Sequence, residues 1–458
     1  MLATVNYFKV SKFFLFIVPI SFVIFTRSAL FPFIVGKYVW FRTSVDLALI
    51  FFLLGLLLAH NKKEIGDQLR KIMRAPLTIA ASTFAVMFTL AGFFGRDPSY
   101  SFWSNFERGE GSLQIIHLVV FFILMSVLFK ERKDWIKLFW VAVVSALLVI
   151  GYGIGAGLEL FGSGFFSAAK GMQFGAPDYR FHSTIGNPAY AAALFIFSMF
   201  YAAYIWFEKY RRKKFSTGSI LLIVSIIAFL AFFLLAATRG AFIGLGAGVF
   251  AMLAYLTYSN KRWRAKLIVT GVILLIAGGL LIGFSNTELV QRIPGSRIFD
   301  ITITAQTFQH RTIMWGVAWE SFLERPLLGW GAESYGYLFQ RNFNPAYFEP
   351  SEGFGAWFDR AHSIYLDYLA ETGILGFLSY FSMFVIFYWQ ILKKKPWERG
   401  IQSLAQGALT LAIPITYLVQ GIVLFDVLVI YINVFIVLAF GNYLIMTPKP
   451  AGGAETTN

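Results

Sequence analysis

The chain of 458 residues contains no cysteine and little charge. The absence of cysteine excludes disulfide bonds, iron–sulfur clusters and thiolate zinc sites. Charged residues make up 14% of the chain, against roughly a quarter in an average soluble domain. The five histidines have no metal-ligand spacing, and the chain has neither an Asp-x-Asp pair nor a nucleotide-binding glycine motif. We therefore expect no metal ion and no cofactor.

Long apolar runs fill most of the sequence, and hydrophobic residues make up 58% of it. A bilayer core needs roughly 20 apolar residues per helical span. Continuous runs without alternation favour helices over a β-barrel. The sequence predicts an all-α polytopic membrane protein of about twelve transmembrane helices, with one large external loop between helices 9 and 10. The expected spans are about 12–31, 42–60, 76–95, 111–129, 135–160, 186–207, 218–237, 240–258, 265–284, 363–391, 402–421 and 423–446.

Short basic loops alternate along the chain and predict its orientation. Placing them all in the cytoplasm satisfies the positive-inside rule and puts both termini there. The loops are 62–74, 130–137, 209–214, 261–266 and 393–399. The formal charge of +15 then arises mainly from the basic residues that orient the protein in the membrane, and it also attracts anionic lipid. We expect the lipid bilayer as a partner and no nucleic acid.

The expected external loop, 285–361, is too long for a connector and too aromatic to be disordered. Its segment Gln309 to Glu324 carries apolar residues at helical spacing and should lie against the membrane face. Pro326 ends that helix and a turn follows at 327–331. A second short helix is expected at 332–341, and 342–358 has the composition of a lid or groove lining.

Arg239 is the most informative charge on the expected external face. It lies in a turn of a few residues between two nearly uninterrupted apolar spans. A charge this close to hydrocarbon is costly unless it is paired or in a wet cavity, so we interpret Arg239 as functional. Snorkelling to lipid phosphates is the alternative. Arg311 lies on the expected interfacial helix, where basic residues are also common without a function.

Arginine and histidine together suit a particular chemistry. The planar guanidinium binds phosphate oxygens with two hydrogen bonds and keeps its charge. Two or three arginines converging at the outer leaflet would hold a diphosphate and stabilise the charge of a diphosphate leaving group. A histidine kept neutral by those cations would accept a proton from an attacking hydroxyl near pH 7. His362, where the long loop enters a span, is the candidate.

Other external residues each have two interpretations. Arg180 and His182 precede a span and would either line an acceptor site or anchor the helix start at the interface. In the second case Asn187 would cap the helix before Pro188.

Arg360 follows Asp359 and would pair with it or steer the histidine. Trp330 would stack on a sugar, although aromatic residues more often form interfacial belts. His310 we interpret as structural. Asp367 and Glu371 are not expected on the face of His362, because they follow it by five and nine residues.

Three motifs in this order resemble those of one family. His362-Ser363, followed after nine residues by Gly373-x2-Gly376, matches the signature histidine motif of the O-antigen ligases. The turn at 237–241 and its glycine-studded helix are similar to a second hallmark of the wider O-antigen ligase/polymerase superfamily. The segment from His310-Arg311 to Gly331 is similar to the third. The resemblance is most specific over about 180–380.

The resemblance implies a metal-independent, inverting glycosyltransferase. Such a ligase moves a glycan from undecaprenyl diphosphate to a hydroxyl of lipid A–core on the outer face of the inner membrane. By motif position His362 would be the base, and Arg239 and Arg311 would contact the diphosphate. The candidates for substrate binding are Arg180, His182, Arg360 and Trp330. The implied catalytic region is 181–391, between N-terminal helices at 1–180 and C-terminal helices with a cytoplasmic tail at 392–458.

Alternative functions remain open from the sequence. A polysaccharide polymerase needs the same diphosphate clamp and base, but its acceptor is another lipid-linked glycan. A protein O-oligosaccharyltransferase would use a protein hydroxyl. A lipid-linked glycan transporter would be expected to carry polar residues at mid-membrane on broken helices, whereas the charges here cluster at one face.

Overall fold

The computed structural model describes residues 6–26, 29, 31–158, 180–211, 215–293, 295–300, 306–345, 358–395 and 400–447. The expected lid at 342–358 lies outside these residues except at its two ends, and the expected C-terminal tail lies outside them after 447. The described part is built from helices, as the apolar runs predict. They are α1 Tyr7–Phe16, α2 Val35–Leu58, α3 Lys62–Met73, α4 Pro76–Phe93, α5 Pro98–Trp103, α6 Ser112–Leu128, α7 Arg132–Gly157, α8 Pro188–Ile205, α9 Thr217–Leu235, α10 Arg239–Ser259, α11 Arg264–Gly283, α12 Glu288–Gln291, α13 Gln306–Glu324, α14 Tyr335–Arg341, α15 Ile364–Lys394, α16 Gly400–Gln420 and α17 Leu428–Met446.

Ten helices in the described part are long and apolar enough to cross a membrane, which confirms an all-α polytopic membrane protein. The number is lower than the expected twelve for two reasons. Helix α6 is apolar but has only 17 residues. The first expected span, 12–31, is divided into α1 and a short 3₁₀ helix, Val18–Phe22, that contains Pro19. Proline has no amide hydrogen to donate and interrupts a continuous helix.

Helices α8 and α17 form the centre of the bundle, since most of their residues are buried. Helix α11 lies at the periphery, and none of its residues is buried. Helix α10 packs closely on α16 because its glycines allow it. A Cβ atom added at Gly244 would lie 2.7 Å from the Thr416 carbonyl oxygen, so a larger residue there would push the two helices apart.

The segment between α11 and α15 forms the two expected helices, as α13 and α14. Helix α15 is broken at Gly373, where φ is 62° and ψ is −171°. The break exposes peptide groups that bond to the turn after α13. Trp330 N donates to Ala370 O at 3.0 Å, and Ile374 N donates to Pro326 O at 2.8 Å. The first of the two motif glycines therefore serves to join the loop to the bundle.

Candidate active site

The turn between α9 and α10 places Arg239 at the first position of α10. Ala237 has a φ of 47°, which reverses the chain within three residues. The Arg239 guanidinium forms an ion pair with Asp300, and its Nε donates to the Arg297 carbonyl at 3.3 Å. The charge at the end of this apolar helix is therefore paired, and its partner is a half-exposed carboxylate that solvent can also reach.

Arg180 binds the same turn from the other side. Its Nε donates to Ala236 O at 3.2 Å, and a terminal nitrogen donates to Thr238 Oγ1 at 3.1 Å. Burial, together with repulsion from Arg297, Arg239 and Arg311, lowers the pKa of Arg180 to about 10. Four arginines therefore share one region, which we call the arginine cluster: Arg180, Arg239, Arg297 and Arg311.

Arg311 is the member of the cluster that reaches toward the histidine. It lies on α13, is half-buried, and has no hydrogen bond or ion pair with any residue whose side chain the structure describes. Burial lowers the pKa of Arg311, and Arg239 lowers it further. A half-buried guanidinium beside other cations is a ready ligand for an anion, because the anion would relieve the repulsion.

His362 has a backbone conformation that is rare for a residue with a side chain, with φ at 56°. Its Nδ1 lies 3.1 Å from the Arg360 carbonyl oxygen. Because a carbonyl oxygen only accepts, Nδ1 carries the proton and Nε2 keeps a free lone pair. The ring packs edge-on against Phe358 and Phe425, at 5.3 and 5.0 Å between centroids.

The surroundings of His362 favour its neutral form. Burial lowers the pKa of His362 below its usual 6.5, and the charges of Arg311 and Arg108 lower it further. The Arg360 carbonyl and Asp359 act in the opposite direction but do not outweigh burial. A neutral imidazole with a free Nε2 is the form that accepts a proton near pH 7. The structure thus brings His362 together with the arginine cluster.

Arg360 lies apart from the arginine cluster, inside a cage of carboxylates. It bonds to Glu110 at 3.3 Å, to Glu371 at 3.2 Å and to Glu333. Burial alone would lower the pKa of Arg360, but Glu333, Glu371 and Glu110 raise it well above its usual value. The expected pairing with the Asp359 side chain is not formed. These contacts make Arg360 a positioning residue that fixes the segment before His362.

Asp367 and Glu371 also hold this segment. Asp367 Oδ1 accepts a hydrogen bond from Ala361 N at 2.7 Å, and Glu371 binds Arg360. Asp359 pairs with Arg108, which comes from the loop before α6. Four ion pairs and one hydrogen bond therefore converge on residues 359–361, immediately before the histidine.

Trp330 does not have the exposed ring that sugar stacking requires. It is buried, its Nε1 donates to Ser321 O at 2.8 Å, and the guanidinium groups of Arg325 and Arg341 lie 4.1 and 5.0 Å from its ring centre. The expected sugar platform is instead a packing residue between α13 and α14. An external loop position favoured exposure, but the loop folds into a small core of its own around Trp330.

His182 lies beside the cluster without a direct bond to it. Its Nδ1 is 3.2 Å from Ser183 O, and its ring packs edge-on against Phe33 at 6.1 Å. Burial lowers the pKa of His182, and Arg180 lowers it further. Asn187 caps α8 as expected, accepting from Ala189 N at 2.8 Å.

Several residues of the site were not predicted. Arg297 and its neighbour Asp300 join the arginine cluster, and Arg108, Glu110 and Glu333 join the histidine segment. A sequence signal exists for Arg297, which lies in the expected external loop as Arg311 does. The pairing of Glu110 with Arg360 spans 250 residues and leaves no local pattern.

The fold and the site together are those of a polytopic α-helical membrane protein with a neutral histidine and an arginine cluster at one end of its bundle. Residues 224–381 match the family model described as O-antigen ligase. The matched region contains Arg239, Arg311, His362 and Gly373, and it confirms the resemblance to the O-antigen ligase superfamily. Arg180 and Arg108 lie outside it. No curated protein matches the chain.

Proposed function

We propose that this protein is an O-antigen ligase-like inverting glycosyltransferase of the bacterial inner membrane. It would take a glycan from undecaprenyl diphosphate and transfer it to a hydroxyl of lipid A–core at the outer face. The observation that carries the proposal is the juxtaposition of His362, neutral and with Nε2 free, and the cation Arg311 of the arginine cluster. The family match supports a glycan-handling transferase.

The proposed reaction is a single displacement at the anomeric carbon. The acceptor oxygen forms a bond to that carbon while the bond from carbon to the diphosphate oxygen breaks, which inverts the configuration. His362 Nε2 takes the acceptor proton, and the released undecaprenyl diphosphate keeps the electron pair. Arg239, Arg297 and Arg311 stabilise the developing negative charge, as preorganised cations do in a partly buried site.

Asp300 has a defined place in this proposal. It forms an ion pair with Arg239. A diphosphate entering the arginine cluster would compete with this single carboxylate for the guanidinium. Because the Arg239–Asp300 pair is half-exposed, exchanging it for a diphosphate costs little. The cluster supplies the positive charge of the clamp, so the proposed reaction uses no metal ion.

The test is a transfer assay with the purified protein in liposomes containing an undecaprenyl-diphosphate glycan, with and without lipid A–core, with products separated on a gel. A shifted band that needs the core acceptor supports the ligase. A ladder of longer lipid-linked chains without the core would identify a polymerase instead.

His362→Ala should reduce transfer by about 10²- to 10⁴-fold. Equal transfer by this variant, or a requirement for a divalent ion after EDTA treatment, would contradict the mechanism.

A further inference from the structure

A cavity of about 150 Å³ opens at the same end of the bundle as His362 and has no part in the proposed chemistry. It is enclosed by the first turns of α2, α8 and α17 and by the loop before α6. The side chains that matter for its chemistry are Phe31, Phe33, Lys37, Glu110 and Tyr190.

Two polar groups in this cavity lack the partners that buried groups usually have. Tyr190 is buried, and its hydroxyl has no hydrogen-bond partner in the part of the chain that the structure describes. Lys37 is 3% exposed, donates to the Ile24 carbonyl, and forms no ion pair with a described carboxylate. A buried hydroxyl without a partner, and a buried ammonium with a single acceptor for its three donors, leave hydrogen-bonding capacity unused at a cost in free energy. Their presence beside a cavity points to a ligand that bonds to them.

The combination of polar groups indicates the class of ligand. Lys37 only donates, the Glu110 carboxylate only accepts, and the Tyr190 hydroxyl does both. The other walls are apolar and include two phenylalanine rings. The Glu110 carboxylate would repel an anionic ligand, and the Lys37 ammonium would repel a cationic one. A neutral polyol has hydroxyl groups that can donate to Glu110 and accept from Lys37. A cavity of about 150 Å³ holds a six-membered ring such as benzene, so a single sugar ring matches its size.

The position of the cavity relates it to the reaction. The Phe425 ring lies 5.0 Å from the His362 ring and 5.5 Å from the Tyr190 ring, measured between centroids. One aromatic side chain therefore packs against both the base and the cavity wall. Arg311, the member of the arginine cluster whose charge acts on His362, comes from α13, which does not line the cavity.

We propose that this cavity binds one neutral sugar unit of the acceptor, adjacent to the unit whose hydroxyl His362 deprotonates. The assignment to the acceptor rests on the proposed function; the binding of a neutral sugar does not. His362 then separates two subsites, the arginine cluster for the donor diphosphate and the cavity for the acceptor glycan. Lys37, Glu110 and Tyr190 bond to sugar hydroxyls, and the phenylalanine rings contact the apolar face of the ring.

Saturation-transfer NMR on the detergent-solubilised full-length protein tests the sugar site without any need for catalysis. The probes are methyl α-D-glucopyranoside and methyl α-D-galactopyranoside, with glucuronate and glucosamine as charged comparisons. We expect a signal for at least one neutral glycoside and weaker signals for both charged sugars. Tyr190→Phe and Lys37→Met should each weaken binding by about 3- to 10-fold, as the loss of one hydrogen bond does.

Tyr201→Phe is the matched control. It removes a hydroxyl from the same helix. That hydroxyl donates to Asn433 Oδ1 at 2.9 Å and does not line the cavity, so sugar binding should be unchanged. His362→Ala should also bind the glycosides normally, which separates the cavity from the transfer reaction. The sugar site is overturned if no neutral glycoside gives a signal, or if binding is the same in Tyr190→Phe and Lys37→Met as in the unmodified protein.

The acceptor assignment has its own readout in the liposome assay. Tyr190→Phe should raise KM for lipid A–core about 3- to 10-fold and leave KM for the lipid-linked donor unchanged. A change in donor KM alone would overturn the acceptor assignment. If the NMR signal is present but the unmodified protein transfers no glycan, the proposed function fails and the neutral-sugar site stands.

Discussion

At the scale of single residues, His362 combines a costly backbone with a chemically useful ring. A non-glycine residue at positive φ persists only where its surroundings fix it. Here the preceding amide is bound by Asp367, and Ile364 N donates to Leu424 O at 3.0 Å on the following side. The same bonds that impose the conformation aim Nδ1 at the Arg360 carbonyl, so backbone strain and the choice of tautomer have one origin.

The charge state of His362 leads to a prediction for the pH dependence. Its pKa is lowered from 6.5, so the imidazole is neutral at pH 7 and above. Transfer should be constant around neutral pH and fall as the pH drops through this lowered pKa, because protonation removes the base. Arg311→Gln removes a cation and should move the acid limb to higher pH. The measurement is kcat/KM against pH.

Arg292→Gln is the control for that experiment, since Arg292 is exposed, follows α12 directly and pairs with Glu288 at the start of that helix. Its acid limb should coincide with that of the unmodified protein. An acid limb in Arg311→Gln that stays in place, or moves to lower pH, would show that Arg311 does not act on the base.

A comparison of two arginines separates ligand binding from positioning. Arg311→Met should raise KM for the lipid-linked donor at least tenfold with little change in thermal stability, because its guanidinium has no described ion pair to lose. Arg360→Met leaves buried carboxylates uncompensated and should cost about 3–5 kcal/mol of stability. Thermal unfolding in detergent and donor KM measure the two effects. Equal destabilisation by both variants would contradict the distinction.

At the scale of elements, the break in α15 and the turn after α13 form one unit. The carbonyls of Ala370 and Glu371 accept from Trp330 N and Gly331 N, and the amides after the break donate to Pro326 O and Leu327 O. The loop that carries Arg311 is thereby fixed to the helix that follows His362. The spacing between the histidine and Gly373 sets the distance between the base and this anchor.

Gly373→Ala tests the unit. A Cβ atom at Gly373 would lie 2.4 Å from the Leu327 carbonyl group, and the residue has a positive φ. We expect a loss of stability of at least 1–2 kcal/mol from the conformation alone, together with reduced transfer. Gly278→Ala in α11, where nothing lies within 4 Å, is the control and should be neutral or slightly stabilising. Thermal unfolding compares the two, and equal midpoints would refute the anchoring role.

Local sequence patterns predicted much of this unit. The apolar stripe predicted α13, and Pro326 predicted its end. The break at Gly373 was not predicted. The partners could not be predicted in the same way. Glu333 and Glu110 reach Arg360 from 27 and 250 residues away, and pairing across such distances depends on how the bundle packs. The burial of Trp330 could not be predicted for the same reason, because it depends on the small core that α13 and α14 form around its ring.

At the scale of the whole molecule, every part of the proposed site lies at one end of the bundle. The turn before α10, the segment before α15 and the connection between α16 and α17 meet there. Gly240 lies against the Val423 side chain, and the His362 ring packs against Phe425. The alternating basic loops of the sequence predicted that the two ends of the bundle face opposite sides of the membrane. The division of the first apolar run was missed, because the span prediction rested on total hydrophobicity and did not use Pro19, whose missing amide hydrogen interrupts a helix.

The orientation of the bundle is testable because the chain has no cysteine. Helix α10 has 21 residues and is about 31 Å long, so the connection after it lies across the membrane from Arg239. Lys261→Cys and Asn286→Cys place single exposed thiols at the two ends of α11. In spheroplasts, a membrane-impermeant maleimide should label Asn286→Cys directly and Lys261→Cys only after permeabilisation. The reverse pattern would put the arginine cluster on the cytoplasmic face, where a lipid A–core acceptor displayed on the outer face could not reach it.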